Sequence, residues 1–321
     1  MQAVVVQPGD RLSYEAFPDP TPQPGEVVVE LKAAALNRRD VWVRKGVYPF
    51  PMPFVPGSDG AGIRRDTGEE VVILPSLAWG EREDAPGPQF RILGGPDNGT
   101  YAELIAVPEA NVFPKPKRLS LDEAAAFPLA ALTAWRALFT KGEVKRGDTV
   151  VVLGAGSGVS TFAVSLAAQA GARVLVTSSS QEKIDRSVEL GAETGVSYRD
   201  GDWAQAILDL TGGAGADCVI DSVGTTWPDS LRCLRKGGRV VVFGATGGEE
   251  VTLAPRALYL NQVELRGTTM GSPREFAALL RALEAGTWTP VIDSVRPLAA
   301  AAEAHARMES GQQFGKLVLA I

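Results

Sequence analysis

The sequence contains a single histidine, His305, and only two cysteines, Cys218 and Cys233, among 321 residues. A mechanism that needs a His-Asp dyad, or a metal site built from several histidines, has almost nothing to draw on. Two cysteines do not make a disulfide framework, and Cys218 lies in an apolar run typical of a buried strand. His305 stands in an amphipathic helical pattern, which favours a histidine on a helix surface or packed in the fold.

The chain also lacks a long hydrophobic run, since no stretch approaches the ~20 apolar residues of a membrane-spanning helix. It has 32 Lys and Arg against 38 Asp and Glu, which argues against binding to nucleic acid or to an anionic membrane. The first residues begin a strand-like run and do not have the layout of a signal peptide. We therefore expect a cytoplasmic protein, and 321 residues of ordinary globular composition suit two domains.

The first part of the chain, residues 1–118, is rich in Pro, Gly and short β-like runs. This pattern predicts a small, irregular β-rich unit. Residues 78–100 within it form a polar stretch with many turn-forming residues, typical of a functional loop or a lid. Ser120 and Glu123 then show the capping-box pattern that opens a helix, and apolar residues recur at helical spacing through the following stretch.

From residue 150 the sequence alternates between apolar runs and amphipathic stretches. The runs predict strands at 150–153, 174–177, 196–198, 218–221, 239–243 and 263–268, with helices at 161–170, 182–190, 203–210 and 226–234. Continuous apolar strands that alternate with helices indicate a parallel sheet buried on both faces. A helix, a strand, a second helix and a terminal strand are expected after this sheet.

Gly154, Gly156 and Gly158 alternate in a turn between the first of these strands and its helix. A dinucleotide-binding turn requires this context, because small residues let the backbone approach a pyrophosphate and the helix N-terminus offers unpaired N–H groups. The spacing is not a clean GxGxxG, and any tight turn favours glycine. The strand–turn–helix context nevertheless predicts a bound nucleotide.

Ser178, Ser179 and Ser180 end the second strand, where an NAD-preferring fold keeps an acidic residue on the ribose hydroxyls. A carboxylate would repel a 2′-phosphate, whereas hydroxyls and the ammonium of Lys183 can hold it. The sequence therefore predicts NADP(H) as the cofactor. The alternative is that Ser180 only caps the next helix and that Lys183 is solvated, and both interpretations can hold at once.

A more specific signal comes from motifs that follow one another along the whole chain: ALNRRDVWVRKGVYP, PGSDGAG, GGPDNGTYAELIAVP, PLAALTAWRAL, VVVLGAGSGVS, CVIDSVG, GGRVVVFGATGG and FGKLVL. In this order they resemble the medium-chain dehydrogenase/reductase superfamily, and within it the zinc-free quinone oxidoreductase-like branch. The resemblance implies an α/β fold with a Rossmann parallel-sheet domain at 119–269. It also implies a β-rich GroES-like catalytic domain made of residues 1–118 and 270–321.

The zinc-free branch is indicated by the residues that stand at the zinc-ligand positions of the superfamily. Zinc alcohol dehydrogenases of this superfamily carry a cysteine where this sequence has Asn37, and a His-Glu pair where it has Ser58 and Asp59. Their structural zinc lobe holds four cysteines in the loop that matches residues 78–100, which contain none. Because asparagine and serine are poor zinc ligands, we expect no metal at either position.

The reaction implied by the resemblance is hydride transfer from NADPH to a quinone or to the β-carbon of an α,β-unsaturated carbonyl. The protein would stabilise the developing oxyanion or enolate. The resemblance places Asn37 at the floor of the active-site cleft and implicates Tyr48 in orienting the substrate or donating a proton. Tyr48 could instead be a packed aromatic residue, and Asn37 could only cap a turn. Asp40 is expected to be structural, bonding to the backbone or to Arg39.

The resemblance also assigns cofactor contacts along the chain. They are Trp42, Thr133, Gly244, Ala245, Thr246, Thr268, Thr269 and Met270 for the nicotinamide half, Gly156, Ser157, Gly158, Val159 and Ser160 for the pyrophosphate, Ser178, Lys183 and Tyr198 for the 2′-phosphate, Ser222 and Val223 for the adenine side, and Phe314 and Lys316 for the far edge.

The strand in VELRGTTMG is expected to be the last of its sheet. By analogy with the superfamily, its free edge would pair across a twofold axis and form a homodimer. Two alternatives to the quinone or enone reductase stay open. One is an alcohol dehydrogenase of the same superfamily, which the missing ligands disfavour. The other is a protein that binds NADPH without turnover.

Overall fold

The computed structural model describes the whole chain, Met1–Ile321. It divides into a first unit, Met1–Leu132 with Gly271–Ile321, and a second unit, Thr133–Met270. The strands are β1 (Gln2–Gln7), β2 (Arg11–Ala16), β3 (Glu26–Ala35), β4 (Asp59–Arg64), β5 (Glu70–Ile73), β6 (Ser76–Leu77), β7 (Arg91–Ile92), β8 (Leu104–Pro108), β9 (Val112–Pro114), β10 (Thr149–Val152), β11 (Arg173–Ser178), β12 (Thr194–Ser197), β13 (Ala216–Asp221), β14 (Leu234–Val242), β15 (Glu264–Gly267), β16 (Ile292–Pro297) and β17 (Lys316–Ala320).

The α-helices are α1 (Arg38–Arg44), α2 (Leu121–Ala126), α3 (Pro128–Trp135), α4 (Gly158–Gln169), α5 (Gln181–Glu189), α6 (Trp203–Leu210), α7 (Trp227–Arg232), α8 (Pro255–Tyr259), α9 (Pro273–Ala285) and α10 (Ala301–Ser310). Short 3₁₀ segments cover Glu109–Asn111 and Leu298–Ala300, and a π-helical segment covers Arg136–Lys141. None of the helices combines the length and the apolar character needed to cross a membrane.

The first unit is built around a seven-stranded sheet. Its strands lie in the order β16, β17, β3, β4, β5 and β9, and β8 also pairs with β3. Ala35 at the end of β3 lies opposite Asp59 of β4 on one side and opposite Val318 of β17 on the other, both in antiparallel register. Counting two residues further along the antiparallel β17 brings Lys316 opposite Asn37. The register therefore gathers three chain segments at one end of this sheet.

The boundary of the first unit lies further along the chain than the sequence indicates. Residues 119–132, assigned above to the Rossmann domain, belong to the first unit. The predicted capping box of Ser120 and Glu123 is present and opens α2. This helix buries Ala124, Ala125 and Ala126 and packs on β3, β4 and β17. The long helical pattern is also divided at Pro128, because proline disfavours a helical residue before it.

The second unit is a parallel sheet of six strands with helices between them. The strand order β12, β11, β10, β13, β14 and β15 is the 3-2-1-4-5-6 order of a Rossmann fold. Val151, Leu175, Val219 and Val240 in neighbouring strands are fully buried, as the continuous apolar runs predict. β15 pairs only with β14 and lies at the edge, which confirms its expected place as the last strand.

Two predicted helices differ at their ends. The first begins at Gly158 rather than at residue 161, because the side chain of Ser157 caps it. The last ends at Arg232, because the chain enters β14 at Leu234. The predicted polar loop 78–100 contains the short strand β7, which pairs with β6, and it buries Trp79 and Leu93.

Candidate functional site

The ends of three neighbouring strands in the first unit bring Asn37, Asp59 and Lys316 together. Asn37 follows β3 and is the N-cap of α1, Asp59 begins β4, and Lys316 begins β17. All three are buried, with Asp59 fully enclosed and the side chain of Lys316 only 2% exposed. Residues from distant parts of the sequence thus form one polar cluster inside a β-rich unit.

The ammonium of Lys316 lies between two oxygens of this cluster. Its Nζ donates to Asn37 Oδ1 at 2.7 Å and to Asp59 Oδ2 at 2.9 Å. Asn37 Nδ2 donates to the same oxygen of Asp59 at 2.9 Å, and Asp59 Oδ1 accepts the backbone N–H of Leu129 at 2.8 Å. The buried charges are therefore paired and hydrogen-bonded, the condition under which a protein interior tolerates them.

Asp40 supports the cluster from the first turn of α1. Its Oδ2 accepts the backbone N–H of Asn37 at 2.7 Å and the hydroxyl of Tyr101 at 3.2 Å. Burial raises the pKa of Asp40 to about 6, and the positive charge of Arg39 opposes that rise. Burial, with the neighbouring Asp40, also raises the pKa of Tyr101. The expected bond of Asp40 to the backbone is confirmed, and its structural role stays a prediction.

Arg39 and Ser58 tie α1 and the start of β4 to the loop that follows β7. The guanidinium of Arg39 donates to Ser58 Oγ at 3.3 Å and to the carbonyl oxygen of Leu93 at 3.2 Å. Ser58 Oγ donates to the same carbonyl at 2.7 Å. Burial lowers the pKa of Arg39, an effect that nearby Asp40 and Tyr48 oppose. Ser58 is therefore a link within the fold.

The side chains at the positions where zinc alcohol dehydrogenases carry catalytic ligands do not fit zinc. A catalytic zinc site uses three protein ligands of the cysteine, histidine or carboxylate type. Here the hydroxyl of Ser58 is bonded to a backbone carbonyl, and the oxygens of Asn37 and Asp59 face an ammonium. Nowhere in the structure do three or more His, Cys, Asp or Glu side chains form a group that could hold a metal ion.

Tyr48 and Trp42 lie near this cluster in sequence but outside its hydrogen bonds. Tyr48 is on the loop after α1 and is 47% exposed, which suits a cleft residue and does not decide between that role and a partly packed aromatic. Trp42 is half-buried in α1, and its carbonyl accepts the N–H of Val47 at 3.0 Å. The catalytic role of Tyr48 and the nicotinamide contact of Trp42 stay predictions.

The glycine turn of the second unit leaves room for a ligand. Gly154 and Gly156 have φ values of 70° and 95°, in the region that favours glycine. A Cβ at Gly154 would meet nothing closer than Ser222 Oγ at 3.8 Å. Ser157 Oγ accepts the N–H of Ser160 at 3.1 Å. Of the first-turn amides of α4, those of Gly158 and Val159 then have no intrahelical partner and can receive an anion.

The serines at the end of β11 are hydrogen-bonded to the start of α5 and to the residue that follows β12. Ser178 Oγ accepts the N–H of Ser180 at 3.2 Å, and Ser180 caps α5 by accepting the N–H of Lys183 at 3.4 Å. The backbone of Tyr198 donates to the carbonyl of Ser178 at 3.1 Å, and its side chain is 49% exposed. Hydrogen bonds to backbone groups thus link the segments that carry Ser178, Lys183 and Tyr198, whose contact with a 2′-phosphate stays a prediction, and the capping role of Ser180 is confirmed.

Asp221 organises the loop that follows β13, and the neighbouring Ser222 joins this loop to the one after β14. Its Oδ1 accepts the N–H groups of Val223 at 2.6 Å and of Gly224 at 3.2 Å. The carbonyl of Ser222 accepts the hydroxyl of Thr246 at 3.0 Å and so joins the loops. Burial raises the pKa of Asp221. The sequence signal for this role is an acidic residue at the end of an apolar strand, followed by Ser-Val-Gly.

The positions of the remaining predicted cofactor residues are known, and their contacts with the cofactor stay predictions. Thr133 and Met270 are buried. Thr268 directly follows β15, and its backbone N–H donates to the carbonyl of Val242 at 2.9 Å. The loop 244–246 follows β14. Phe314 is also buried. The pairing of β17 with β3 places the ammonium of Lys316 against Asn37 and Asp59, and its expected contact with the cofactor stays a prediction.

Comparisons with known proteins cover nearly the whole chain. Residues 23–117 match the family model described as alcohol dehydrogenase GroES-like domain, and residues 158–285 match the model described as zinc-binding dehydrogenase. A zinc-type alcohol dehydrogenase-like protein of Schizosaccharomyces pombe is 38% identical over 97% of this chain and 96% of its own length. A quinone oxidoreductase of Rattus norvegicus is 29% identical over 94% of this chain and 90% of its own.

Among solved structures, the crystal structure of an NAD-dependent alcohol dehydrogenase is 43% identical, covers 100% of both chains and superimposes with a TM-score of 0.95. Together with the GroES-like and Rossmann architecture, these matches show that the chain is an oxidoreductase of the medium-chain dehydrogenase/reductase superfamily, whose members bind a nicotinamide cofactor.

Proposed function

We propose that the protein is a zinc-independent reductase that transfers hydride from NADPH to a quinone or to an α,β-unsaturated carbonyl. The observation that carries this proposal is the position of the Lys316 ammonium on the oxygens of Asn37 and Asp59. The ammonium of Lys316 thus bonds to the two side chains that stand where zinc-dependent relatives carry metal ligands. The polarisation of the acceptor is therefore assigned to hydrogen-bond donors of the chain.

The cofactor, when bound, supplies the hydride. Asn37 then has the chemistry needed at the acceptor oxygen, because one hydrogen of its amide is spent on Asp59 and the other is left for a ligand. A preorganised amide donor stabilises an oxyanion or enolate as negative charge develops. Tyr48, exposed on the loop after α1, is the candidate proton donor to the product.

The preference for NADPH is proposed from the polar residues at the end of β11 and the start of α5. Ser178 and Ser180 offer hydroxyls, and Lys183 contributes an ammonium from the first turn of α5. An ionised 2′-phosphate is held best by such charge-assisted bonds. The similar alcohol dehydrogenase of known structure is named as NAD-dependent, which points the other way, so paired measurements with NADPH and NADH must decide.

A homodimer formed through the free edge of β15 is a further part of the proposal. β15 has a partner strand on one side only, and an open parallel edge is a template for pairing with another chain. Light scattering on the purified protein is expected to give twice the 33.9 kDa chain mass. A mass equal to one chain would contradict the dimer without bearing on the reaction.

The second candidate is an alcohol dehydrogenase, which the names of the Schizosaccharomyces pombe relative and of the similar structure favour. The deciding assay follows NADPH oxidation with 1,2-naphthoquinone and with an alkenal, and the reverse oxidation of alcohols, each with and without a chelator. Turnover of a quinone or alkenal that the chelator leaves unchanged supports the proposal. Chelator-sensitive alcohol oxidation contradicts it, and tight NADPH binding without any turnover identifies a non-catalytic protein.

A further inference from the structure

Lys316 is one of the largest fully buried side chains of the chain. It is the first residue of a strand whose neighbours are apolar, since Leu317, Val318 and Leu319 are also fully buried. An apolar residue at this position would avoid the desolvation cost of a buried ammonium. The presence of the ammonium therefore calls for an explanation in terms of what it contacts.

The contacts of Lys316 determine the orientation of the Asn37 amide. An ammonium can only donate hydrogen bonds, and a carboxylate can only accept them. Asn37 must therefore turn Oδ1 towards Lys316 and Nδ2 towards Asp59, the arrangement that the distances of 2.7 and 2.9 Å describe. With the amide turned over, donor would face donor and acceptor would face acceptor. One hydrogen of Nδ2 is then left in a defined direction.

We propose that Lys316 is a positioning residue, whose ammonium fixes the Asn37 amide so that its second N–H is presented to the acceptor oxygen. The inference rests on the proposed function, in which Asn37 is the donor to that oxygen. It assigns Lys316 a role other than the expected contact with the cofactor. Lys316 touches neither the acceptor nor the hydride and acts only through Asn37.

The test uses Lys316→Met, which keeps the length of the side chain and removes its charge. Lys115→Met is the matched control, because Lys115 is also a largely buried lysine of the first unit, with a side chain 6% exposed. Its ammonium pairs with Glu70 at a distance of 3.2 Å and does not bond to Asn37. If Lys316→Met does not fold because Asp59 is left unpaired, the double variant Lys316→Met/Asp59→Asn removes both charges and still frees the amide.

The first measurement does not depend on activity. The chain has four asparagines, Asn37, Asn98, Asn111 and Asn261, so labelling with ¹⁵N-asparagine gives few side-chain amide signals, and Asn37→Ala identifies the signal of Asn37. Lys316→Met is expected to speed hydrogen exchange at that amide by at least about tenfold, and Lys115→Met is expected to leave it unchanged. Unchanged exchange in Lys316→Met would overturn the inference even if the wild type reduces no acceptor.

The second measurement is the single-turnover rate of hydride transfer at saturating NADPH, together with the dissociation constant of NADPH. We expect the rate of Lys316→Met to fall at least about tenfold and the dissociation constant to stay within about twofold. A weakened NADPH affinity with an unchanged rate at saturation would make Lys316 a cofactor ligand instead. If the rate falls equally in Lys115→Met, the effect of Lys316→Met reflects a general loss of stability, and the positioning role of Lys316 is contradicted.

Discussion

Tyr101 donates a hydrogen bond of 3.2 Å to the carboxylate of Asp40, deep in the first unit. The edge of the same ring meets His305, with ring centroids 6.0 Å apart and ring planes perpendicular. Both neighbours of Tyr101 are titratable and fully buried. Burial raises the pKa of Asp40 to about 6 and lowers the pKa of His305 to about 3. The two groups therefore change stability with pH in opposite directions.

Asp40→Asn tests the first of these effects. The folded-state pKa of Asp40 lies above its unfolded value of 3.8, so the folded protein binds more protons between pH 4 and 6 and loses stability as the pH rises. An amide can still accept from Asn37 and Tyr101 but carries no charge. We expect Asn at this position to raise the free energy of unfolding above pH 7 by up to ~3 kcal/mol and to leave it little changed near pH 4. Urea unfolding at both pH values measures the difference, and equal shifts at both would contradict it.

His305→Phe tests the second effect. The folded-state pKa of His305 lies below its unfolded value of 6.5, so the unfolded chain takes up the proton first and stability falls as the pH drops from 6.5. Neither ring nitrogen has a hydrogen-bond partner, and phenylalanine preserves the edge contact with Tyr101. Between pH 6.5 and 4.5, the variant is expected to lose ~2 kcal/mol less than the wild type. A parallel pH profile for both proteins would show that His305 titrates normally.

Much of the fold is predictable from the sequence because its signals are local. The apolar strands from Val150 onward, the glycine turn at 154–158 and the cap at Ser120 each lie within a short stretch of chain, and the structure contains all three. The cap at Ser157 is harder to predict, because this serine stands within a glycine-rich turn whose pattern indicates a phosphate site. It moves the start of α4 by three residues.

The polar cluster of the first unit could not be predicted in the same way. Lys316 and Asn37 are 279 positions apart, and only the pairing of β17 with β3 brings them together. The sequence showed which zinc ligands were missing, but not which cation faces the side chains that replaced them. His305 was expected on a helix surface or packed in the fold, and its complete burial selects the second alternative.

Lys183→Ala tests the proposed recognition of the 2′-phosphate. Loss of one charge-assisted hydrogen bond is expected to raise the dissociation constant of NADPH at least about tenfold and to leave that of NADH within about twofold. Lys236→Ala is the matched control, because Lys236 is an exposed lysine of the same unit on β14. Cofactor fluorescence titrations measure both constants. If Lys183→Ala weakens the binding of NADPH and NADH equally, or weakens neither, Lys183 does not bind the 2′-phosphate.

The central claim is that an amide held inside the first unit, rather than a metal ion, polarises the acceptor. Asn37→Ala removes that amide and leaves the bond between Lys316 and Asp59 in place. The decisive measurement is the single-turnover rate of NADPH oxidation by 1,2-naphthoquinone, with saturating cofactor and a chelator present. The account predicts a fall of about 100-fold for the variant, the size expected for a lost oxyanion donor, with unchanged NADPH affinity. A variant rate within about threefold of the wild type, or a wild-type rate abolished by the chelator, would contradict it.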